Sequence, residues 1–215
     1  MARFNPNRKR FGPYRRRGRW SRYRMGFNQL KRDINKIRSR LNTEVKVLDN
    51  QISFAAIDDA TPGGVLANGI AQGLDKDDRV GRVIRAKSLQ FVMTLNKHAS
   101  ATATQVRVIL FKDVEGSNGA SFDDIYNSTD MISMRNTDST HRFKVYYNRV
   151  ITLNDNYPEK TIRFYKPLST KVKYNTTTAV ASAIETNSFR MMVLSDEATN
   201  QPSAAGALRF RWVDN

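Results

Sequence analysis

The stretch that decides the fold is SLQFVMTLN, residues 88–96, in which Leu89, Phe91, Met93 and Leu95 stand at alternate positions. Successive side chains of a β-strand point to opposite faces, so these four apolar residues share one face. The pattern predicts a strand that buries one side in a hydrophobic core.

Seven more segments show strand character, because they combine period-two alternation with β-branched and aromatic residues. They are TEVKVLDNQISFAAI (43–57), TQVRVILFKD (104–113), RFKVYYNRVITLN (142–154), KTIRFYKPL (160–168), TKVKY (170–174), SFRMMVLSD (188–196) and ALRFRWV (207–213). No helices of βαβ spacing lie between them, which disfavours a parallel sheet. We therefore expect an all-β, antiparallel sandwich of about eight strands.

Two long connections separate the predicted strands, at 58–82 and 114–141. In the second, SFDDIYNS predicts a short helix with Ser121 as its N-cap and Asp123 and Asp124 in its first turn. In the first, TPGGVLANG is rich in glycine but lacks the lysine and hydroxyl of a phosphate-binding loop. We expect that segment to be a flexible connection.

The positive charge lies almost entirely at the N-terminus. Residues 1–42 contain fifteen Lys or Arg and a single acid, Asp33, so they carry +14 of the formal net charge of +16. The remaining 173 residues hold 21 basic and 19 acidic side chains. Like charges at the density of residues 1–27 repel one another, so this arm should stay extended until an anionic partner neutralises it.

The arm interleaves arginine with aromatic residues, as in FGPYRRRGRWSRYRMGF (11–27). Arginine forks onto phosphate, and aromatic rings stack unpaired bases at roughly 1–3 kcal/mol each. Single-stranded nucleic acid is therefore favoured over a purely nuclear-import role for NRKR and RRRGR, or over membrane-surface binding. The predicted nucleic-acid-binding residues of the arm and the following helix are Arg3, Arg8, Lys9, Arg10, Arg15, Arg16, Arg17, Arg19, Trp20, Arg22, Tyr23, Arg24, Lys31, Arg32, Lys36, Arg38 and Arg40.

Residues 28–42 are predicted to form a basic amphipathic helix. A helix of about four turns is marginal alone in water, so its apolar stripe has to pack on the following domain, 43–215, or on copies of itself. The basic outer face of the helix favours self-association beside nucleic acid. The apolar residues recur at spacings of three and four and form a heptad-like seam of Phe27, Leu30, Ile34, Ile37 and Leu41.

Composition removes several classes of function. The chain has no cysteine, which excludes disulfides, thiolate zinc sites and cysteine nucleophiles. Its two histidines, His98 and His141, stand far apart beside predicted strand ends, where we expect surface positions. No apolar run approaches the roughly 20 residues of a membrane span, so we expect no membrane partner.

The acidic stretch GLDKDDRVG gathers Asp75, Asp77 and Asp78. Calcium needs oxygen ligands at alternate positions, but Arg79 stands where a third ligand should be, so ion pairs with Arg79 or Arg82 are favoured. A nuclease would need clustered carboxylates or a usable histidine, and neither is visible. We predict no enzyme, no catalytic residue, no cofactor and no placed metal site, leaving a structural calcium ion open.

One stretch resembles a known family. NGIAQGLDKDDRVGRVIRAKSLQFVMTL, residues 68–95, is similar to the segment leading into the second large strand of satellite tobacco necrosis virus coat proteins. The resemblance continues through VRVILFKD (106–113), SFDDIYN (121–127) and HRFKVYYNRVITLN (141–154), and covers most of residues 28–215.

This resemblance implies a single jelly roll of two four-stranded sheets, with residues 43–215 as the shell domain. It also implies a T=1 icosahedral shell of sixty copies and N-terminal helices gathered in threes inside it. The expected partners are then other copies of the chain and a single-stranded genome, within a virion. Coat proteins of circular single-stranded DNA viruses have similar arginine-rich, aromatic arms, which favours DNA over RNA and a stage in the host nucleus.

The alternative is a cellular basic nucleic-acid-binding protein, such as a ribosomal or chaperone-like β-domain with a basic tail. Such a protein would usually carry a basic face on its folded body. Residues 43–215 net only +2, which speaks against it.

Overall fold

The computed structural model describes residues 29–34, 44–116 and 120–214. Residues 29–34 are helical and form α1, within the unit 1–43. The other described residues belong to a second unit, 44–215, which is built almost entirely of β-strands.

The second unit contains nine strands in its described part. They are β1 (Lys46–Phe54), β2 (Gly63–Leu66), β3 (Val83–Asn96), β4 (Ala103–Asp113), β5 (Phe143–Asn154), β6 (Glu159–Tyr174), β7 (Ile184–Thr186), β8 (Ser188–Ser195) and β9 (Ser203–Asp214). A short helix, α2 (Phe122–Ile125), precedes β5, and a 3₁₀ turn at Ala181–Ala183 precedes β7.

The strands form two antiparallel sheets with the connectivity of a jelly roll. The five-stranded sheet has the order β1-β9-β3-β6-β7, and the four-stranded sheet has the order β2-β8-β4-β5. Five of the seven hydrogen-bonded strand pairs join strands that are not consecutive in the chain, so most neighbours in the sheets are far apart in sequence. The predicted all-β antiparallel jelly-roll sandwich is confirmed.

The core lies where the inner faces of the two sheets meet. Leu89, Phe91, Met93 and Leu95 of β3 are fully buried, as their alternation predicts. Each fully buried side chain of this kind stabilises the fold by roughly 1.5–3 kcal/mol relative to an exposed one. Their cluster includes residues of β4, β8 and β9, among them Val106, Val108, Leu110, Met191, Val193, Leu208, Phe210 and Trp212.

Three details of the predicted strand set are wrong. KTIRFYKPL and TKVKY are one strand, β6, because a bulge opposite Pro167–Thr170 lets the pairing with β3 continue past the proline. TPGGVLANG is not only a connection, since Gly63–Leu66 pair with β8 as β2. The short strand β7 was not predicted, and it makes the first sheet five-stranded rather than four-stranded.

The predicted short helix is confirmed. The hydroxyl of Ser121 accepts a hydrogen bond from the backbone N–H of Asp124, and the Asp124 carboxylate accepts one from the backbone N–H of Ser121. This reciprocal capping box satisfies two donors at the start of α2. Among the described helices, none has the length and apolar character needed to span a membrane.

Candidate functional site

Helix α1 carries two of the predicted seam residues and two of the predicted nucleic-acid contacts. The side chains of Leu30 and Ile34 are 58% and 42% exposed, and Lys31 and Arg32 are also exposed. Leu30 and Ile34 are therefore available to a partner. The other predicted residues of the arm and helix, at positions 3–27 and 36–41, lie outside the described residues.

The outer face of the four-stranded sheet is covered. The connection between β4 and β5 lays α2 and its flanking residues over this face, where Phe122, Ile125 and Tyr126 pack against Ile109 and Leu194. The sheet on this side is therefore closed by apolar contacts within the subunit.

Arg107 of β4 fastens that cover to the sheet. The side chain is buried, and its guanidinium donates to the carbonyl oxygens of Asp130 and Ser133 and to Asn148 Oδ1, each at 3.1 Å. It also lies 3.8 Å from the ring centroid of Tyr126, within the range of a cation–π contact. The buried arginine is thus part of the fold and is not available to an external anion.

The outer face of the five-stranded sheet is different, because it is open and basic. Strand register places six cations on this face, which we call the basic face. All are exposed or half-exposed. They are Arg85 of β3, Arg163, Lys171 and Lys173 of β6, and Arg209 and Arg211 of β9.

Two carboxylates share this face, and their positions limit what they neutralise. Asp49 of β1 accepts two hydrogen bonds of 2.7 Å from Arg209, its cross-strand partner. The hydrogen bonds from Arg209 hold the pKa of Asp49 below its usual value, and the charge of Arg211 acts in the same direction. The second, Glu159, lies at the far end of β6, opposite Asn96. Most of the positive charge therefore remains uncompensated.

The sequence did not reveal the basic face as a unit. A net charge of only +2 for residues 43–215 suggested a body without a basic face, and that inference is wrong. The acids of this domain lie largely in loops and at strand ends, while cations concentrate on one sheet surface. The available signal was spacing, because Lys171 and Lys173, like Arg209 and Arg211, are two residues apart on a strand and share a face.

The predicted ion pairs of the acidic loop are also wrong. Arg79 is fully buried, and its guanidinium donates to the carbonyl oxygens of Ile70 at 3.2 Å, Gly81 at 2.7 Å and Thr176. Its Cζ lies 4.2 Å from the ring centroid of Tyr174. Within the described ranges, no ion pair joins Arg79 or Arg82 to the three aspartates of that loop.

His98 and His141 are both exposed at strand ends, as expected. The described part of the chain contains no group of three or more His, Asp or Glu side chains arranged to hold a metal ion. A structural calcium ion stays an untested prediction.

Comparison with known families decides the identity of the chain. The family model described as satellite tobacco necrosis virus coat protein matches residues 28–214. The chain belongs to this coat-protein family. No curated protein sequence matches it.

Solved virus structures resemble this coat protein in part. A structure of Desmodium yellow mottle tymovirus is 12% identical, with 78% of this chain and 87% of that chain covered and a TM-score of 0.34. The VP2 subviral particle of infectious bursal disease virus is 14% identical, with 78% and 33% covered and a TM-score of 0.25.

Family membership gives the coat protein a structural role. It is a subunit of a virion shell that forms by self-association of copies. The exposed Leu30 and Ile34 of α1, the covered sheet and the basic face are then features of one shell subunit.

Proposed function

We propose that this coat protein assembles into a T=1 icosahedral shell of sixty copies and packages a single-stranded genome through its N-terminal arm. The observation that carries the proposal is the segregation of charge, with +14 in residues 1–42 and +2 in the remaining 173 residues. A shell needs a neutral body that can pack against copies of itself and a charged segment that can reach the genome. This chain separates these two properties along its length.

The charge sets the capacity of the proposed particle. Sixty arms at +14 present about 840 positive charges, enough to neutralise a genome on the order of a thousand nucleotides. Phosphate contacts and base stacking do not distinguish one base from another, so packaging should depend on length and charge rather than sequence.

The proposal includes DNA rather than RNA as the genome, and a stage in the host nucleus. Its support is the composition of the arm, in which nine arginines alternate with aromatic residues, and the basic runs NRKR and RRRGR. The exposed Leu30 and Ile34 of α1 support contacts between the helices of neighbouring copies, gathered in threes.

The test is light scattering on purified full-length protein as it elutes from a sizing column, with absorbance at 260 and 280 nm. Sixty chains of 24.6 kDa give a particle of about 1.5 MDa before nucleic acid is added. Such particles with nuclease-protected nucleic acid are the expected result, and digestion of the extract with DNase or RNase identifies the genome type. A monomer or small oligomer at every salt and pH would refute the proposal.

A further inference from the structure

Five cations cluster around the bulge in β3. Lys87 is the extra residue of this bulge, so Lys87 and Ser88 together oppose Arg211 of β9. On the other side of β3, Arg85 pairs directly with Lys171 of β6. We call the five the bulge cluster, which consists of Arg85, Lys87, Lys171, Lys173 and Arg211.

The arrangement places like charges against each other. Directly opposed residues on adjacent antiparallel strands have Cβ atoms about 4.5–5.5 Å apart, and like charges in such a pair destabilise a sheet. Arg85 and Lys171 form such a pair, and Lys173 follows Lys171 on the same face of β6.

No carboxylate within the described ranges forms an ion pair with any member of the bulge cluster. Three acids lie near the cluster by register. Glu185 of β7 is next to Thr186, the partner of Lys173, and it forms no ion pair with the cluster. Asp214, next to the Arg85 partner Val213, pairs with Lys46, and Asp49, two residues from the Arg211 partner Val47, pairs with Arg209. Elsewhere on the domain, cations do form ion pairs, as the exposed Arg209 does with Asp49 and the largely buried Lys97 does with Asp155. The bulge cluster is therefore a concentration of positive charge in which no member forms an ion pair within the described ranges.

From this arrangement we infer that the bulge cluster is a second phosphate-binding surface, on the folded domain itself, for the single-stranded nucleic acid inside the shell. Arginine and lysine are the side chains that bind phosphate, and an anion between opposed cations removes their repulsion. Gln90 lies three residues along β3 from Lys87, and its partner Tyr165, 57% exposed on the same face of β6, offers an aromatic ring on which a neighbouring base of the bound strand can stack.

Chain connectivity favours the genome as the anion. β1 begins at Lys46, three residues beyond Thr43, and it is the edge strand of the sheet that carries the cluster. The chain therefore enters the second unit at an edge strand of this sheet. The inference rests on the proposed function, because a genome can lie against this surface only if the shell packages one.

The first experiment compares two variants of full-length protein that lose the same charge. The test variant is Arg85→Gln, Lys171→Gln and Lys173→Gln. The control is Arg149→Gln, Lys76→Gln and Lys160→Gln, at exposed positions outside the bulge cluster. Binding of a fluorescein-labelled 30-mer of deoxythymidine is titrated over a series of salt concentrations.

The slope of log affinity against log salt counts the phosphates contacted, at about 0.7 per contact on a single strand. We expect the test variant to lower the slope by about 2, as the loss of three contacts requires. The control should keep the wild-type slope. Equal slopes for the two variants would overturn the inference.

Thermal unfolding without nucleic acid separates binding from a role in the fold. Because the substitutions remove repulsion between Arg85 and Lys171, the test variant should have a Tm equal to or above that of the wild type. A lower Tm would show that the cations stabilise the sheet, and would overturn the assignment.

A third variant separates this inference from the proposed function. Arg15→Gln, Arg16→Gln and Arg17→Gln remove three charges from the arm. If the salt-dependence slope falls only in the arm variant, the inference fails and the proposed function stands. If the slope falls only in the test variant, the role proposed for the arm fails and the phosphate-binding surface on the domain stands.

Labelling of intact particles decides between the genome and an external polyanion such as a sulfated polysaccharide. Lys171 and Lys173 should be protected from a bulky acylating reagent in the assembled shell. An external ligand would give three other results: Lys171 and Lys173 would both be acylated in intact particles, the test variant would lose heparin binding, and its packaged nucleic acid would be unchanged. Together these results would assign the cluster to an external ligand instead.

Discussion

At the scale of single residues, Gly206 shows how closely the strands of the five-stranded sheet approach. A Cβ at this position of β9 would lie 2.2 Å from the carbonyl oxygen of Val92 and 2.7 Å from Cα of Met93, both backbone atoms of β3. Backbone in the middle of a sheet cannot move aside cheaply, so only glycine fits here.

We predict that Gly206→Ala destabilises the domain by more than about 2 kcal/mol, because the substitution forces two central strands apart. Gly64→Ala in β2 is the matched control, since its Cβ meets only the carbonyl oxygen of Met191 at an ordinary 3.7 Å. Urea unfolding of both variants measures the difference. Similar urea midpoints for the two variants would show that β9 and β3 can move apart without loss of stability.

Tyr174 gives the domain a dependence on alkaline pH. Its hydroxyl donates a buried hydrogen bond of 2.9 Å to the carbonyl oxygen of Asn68. Burial raises the pKa of this hydroxyl well above its usual value, and the charge of Arg79 only partly offsets that effect. The folded state therefore keeps the proton at a pH where the unfolded chain has lost it.

The direction in which the stability of the domain changes with pH follows from proton linkage. Below the usual tyrosine pKa of about 10 the stabilisation is fully present, and above it the free energy of unfolding falls by up to about 1.4 kcal/mol per pH unit for this group. Tyr174→Phe should cost about 1–3 kcal/mol at pH 8, because the Asn68 carbonyl loses its partner. The variant should also lose less stability between pH 9 and 11 than the wild type.

Urea unfolding at pH 8, 9 and 11 tests this prediction, with Tyr165→Phe as the surface control. If stability declines as much in Tyr174→Phe as in the wild type, the alkaline dependence belongs to the buried Tyr126 and the half-buried Tyr146 and Tyr147, whose pKa values burial also raises.

At the scale of elements, the sequence revealed strands in proportion to their length and alternation. The long strands β3, β4, β5, β8 and β9 were predictable because each has eight or more residues and is rich in apolar side chains. In β3 and β9 the buried residues alternate with less buried ones over much of the strand. The short strands β2 and β7 have four and three residues, too few for a period to be seen. They form because longer neighbours already provide the hydrogen-bonding partners.

Two further features depended on tertiary context. Pro167 divides β6 in the sequence, but the bulge in β3 accommodates it and the strand continues. From the sequence, Arg79 is predicted to form an ion pair with a nearby aspartate. The fold instead buries its guanidinium among the carbonyl oxygens of Ile70, Gly81 and Thr176. Local sequence contains neither the register of β3 with β6 nor the position of Thr176.

Helix α1 leads to a prediction about assembly. Leu30 and Ile34, the two seam residues that the structure describes, are exposed, and the cluster of buried core residues is formed by residues of the second unit. Replacing Ile34 and Ile37 with aspartate should therefore impair particle formation while leaving the Tm of the domain within about 2 °C of the wild type, as for surface substitutions in general. Gln29→Asp with Asn35→Asp adds the same charge off the seam and should still assemble.

Light scattering and thermal unfolding on both double variants check this prediction. Normal particles from the seam variant would refute helix association as a step in assembly. A large fall in its Tm would instead show that the seam packs against the domain.

At the scale of the whole molecule, the sequence predicted the distribution of charge along the chain but not across the surface. The difference in net charge between residues 1–42 and residues 43–215 can be counted directly from the sequence. The basic face depends on the order of strands β9, β3 and β6 in one sheet, which non-local pairing sets. Cations separated by more than a hundred residues, such as Arg85 and Arg211, become neighbours only in the folded sheet.

This division of charge leads to the prediction for the arm. Deleting residues 1–26 removes nine arginines and Lys9, so each subunit loses a charge of +10. Residues 27–42 then keep +4, and sixty copies would present about 240 positive charges instead of about 840. We expect the truncated protein to lose nuclease-protected nucleic acid, because the remaining charge cannot neutralise a genome of the same length.

The domain should stay folded in that variant, since its described core lies wholly within residues 44–214 and its Tm reports on that core. Replacing the nine arginines with lysine is the matched control, because it keeps the charge and removes the planar fork and its stacking. If charge alone determines capacity, the lysine variant packages the same length of nucleic acid as the wild type, and its complex dissociates at lower salt because the arginine contacts are missing. Full packaging by the truncated protein would instead assign the neutralisation of the genome to the folded domain.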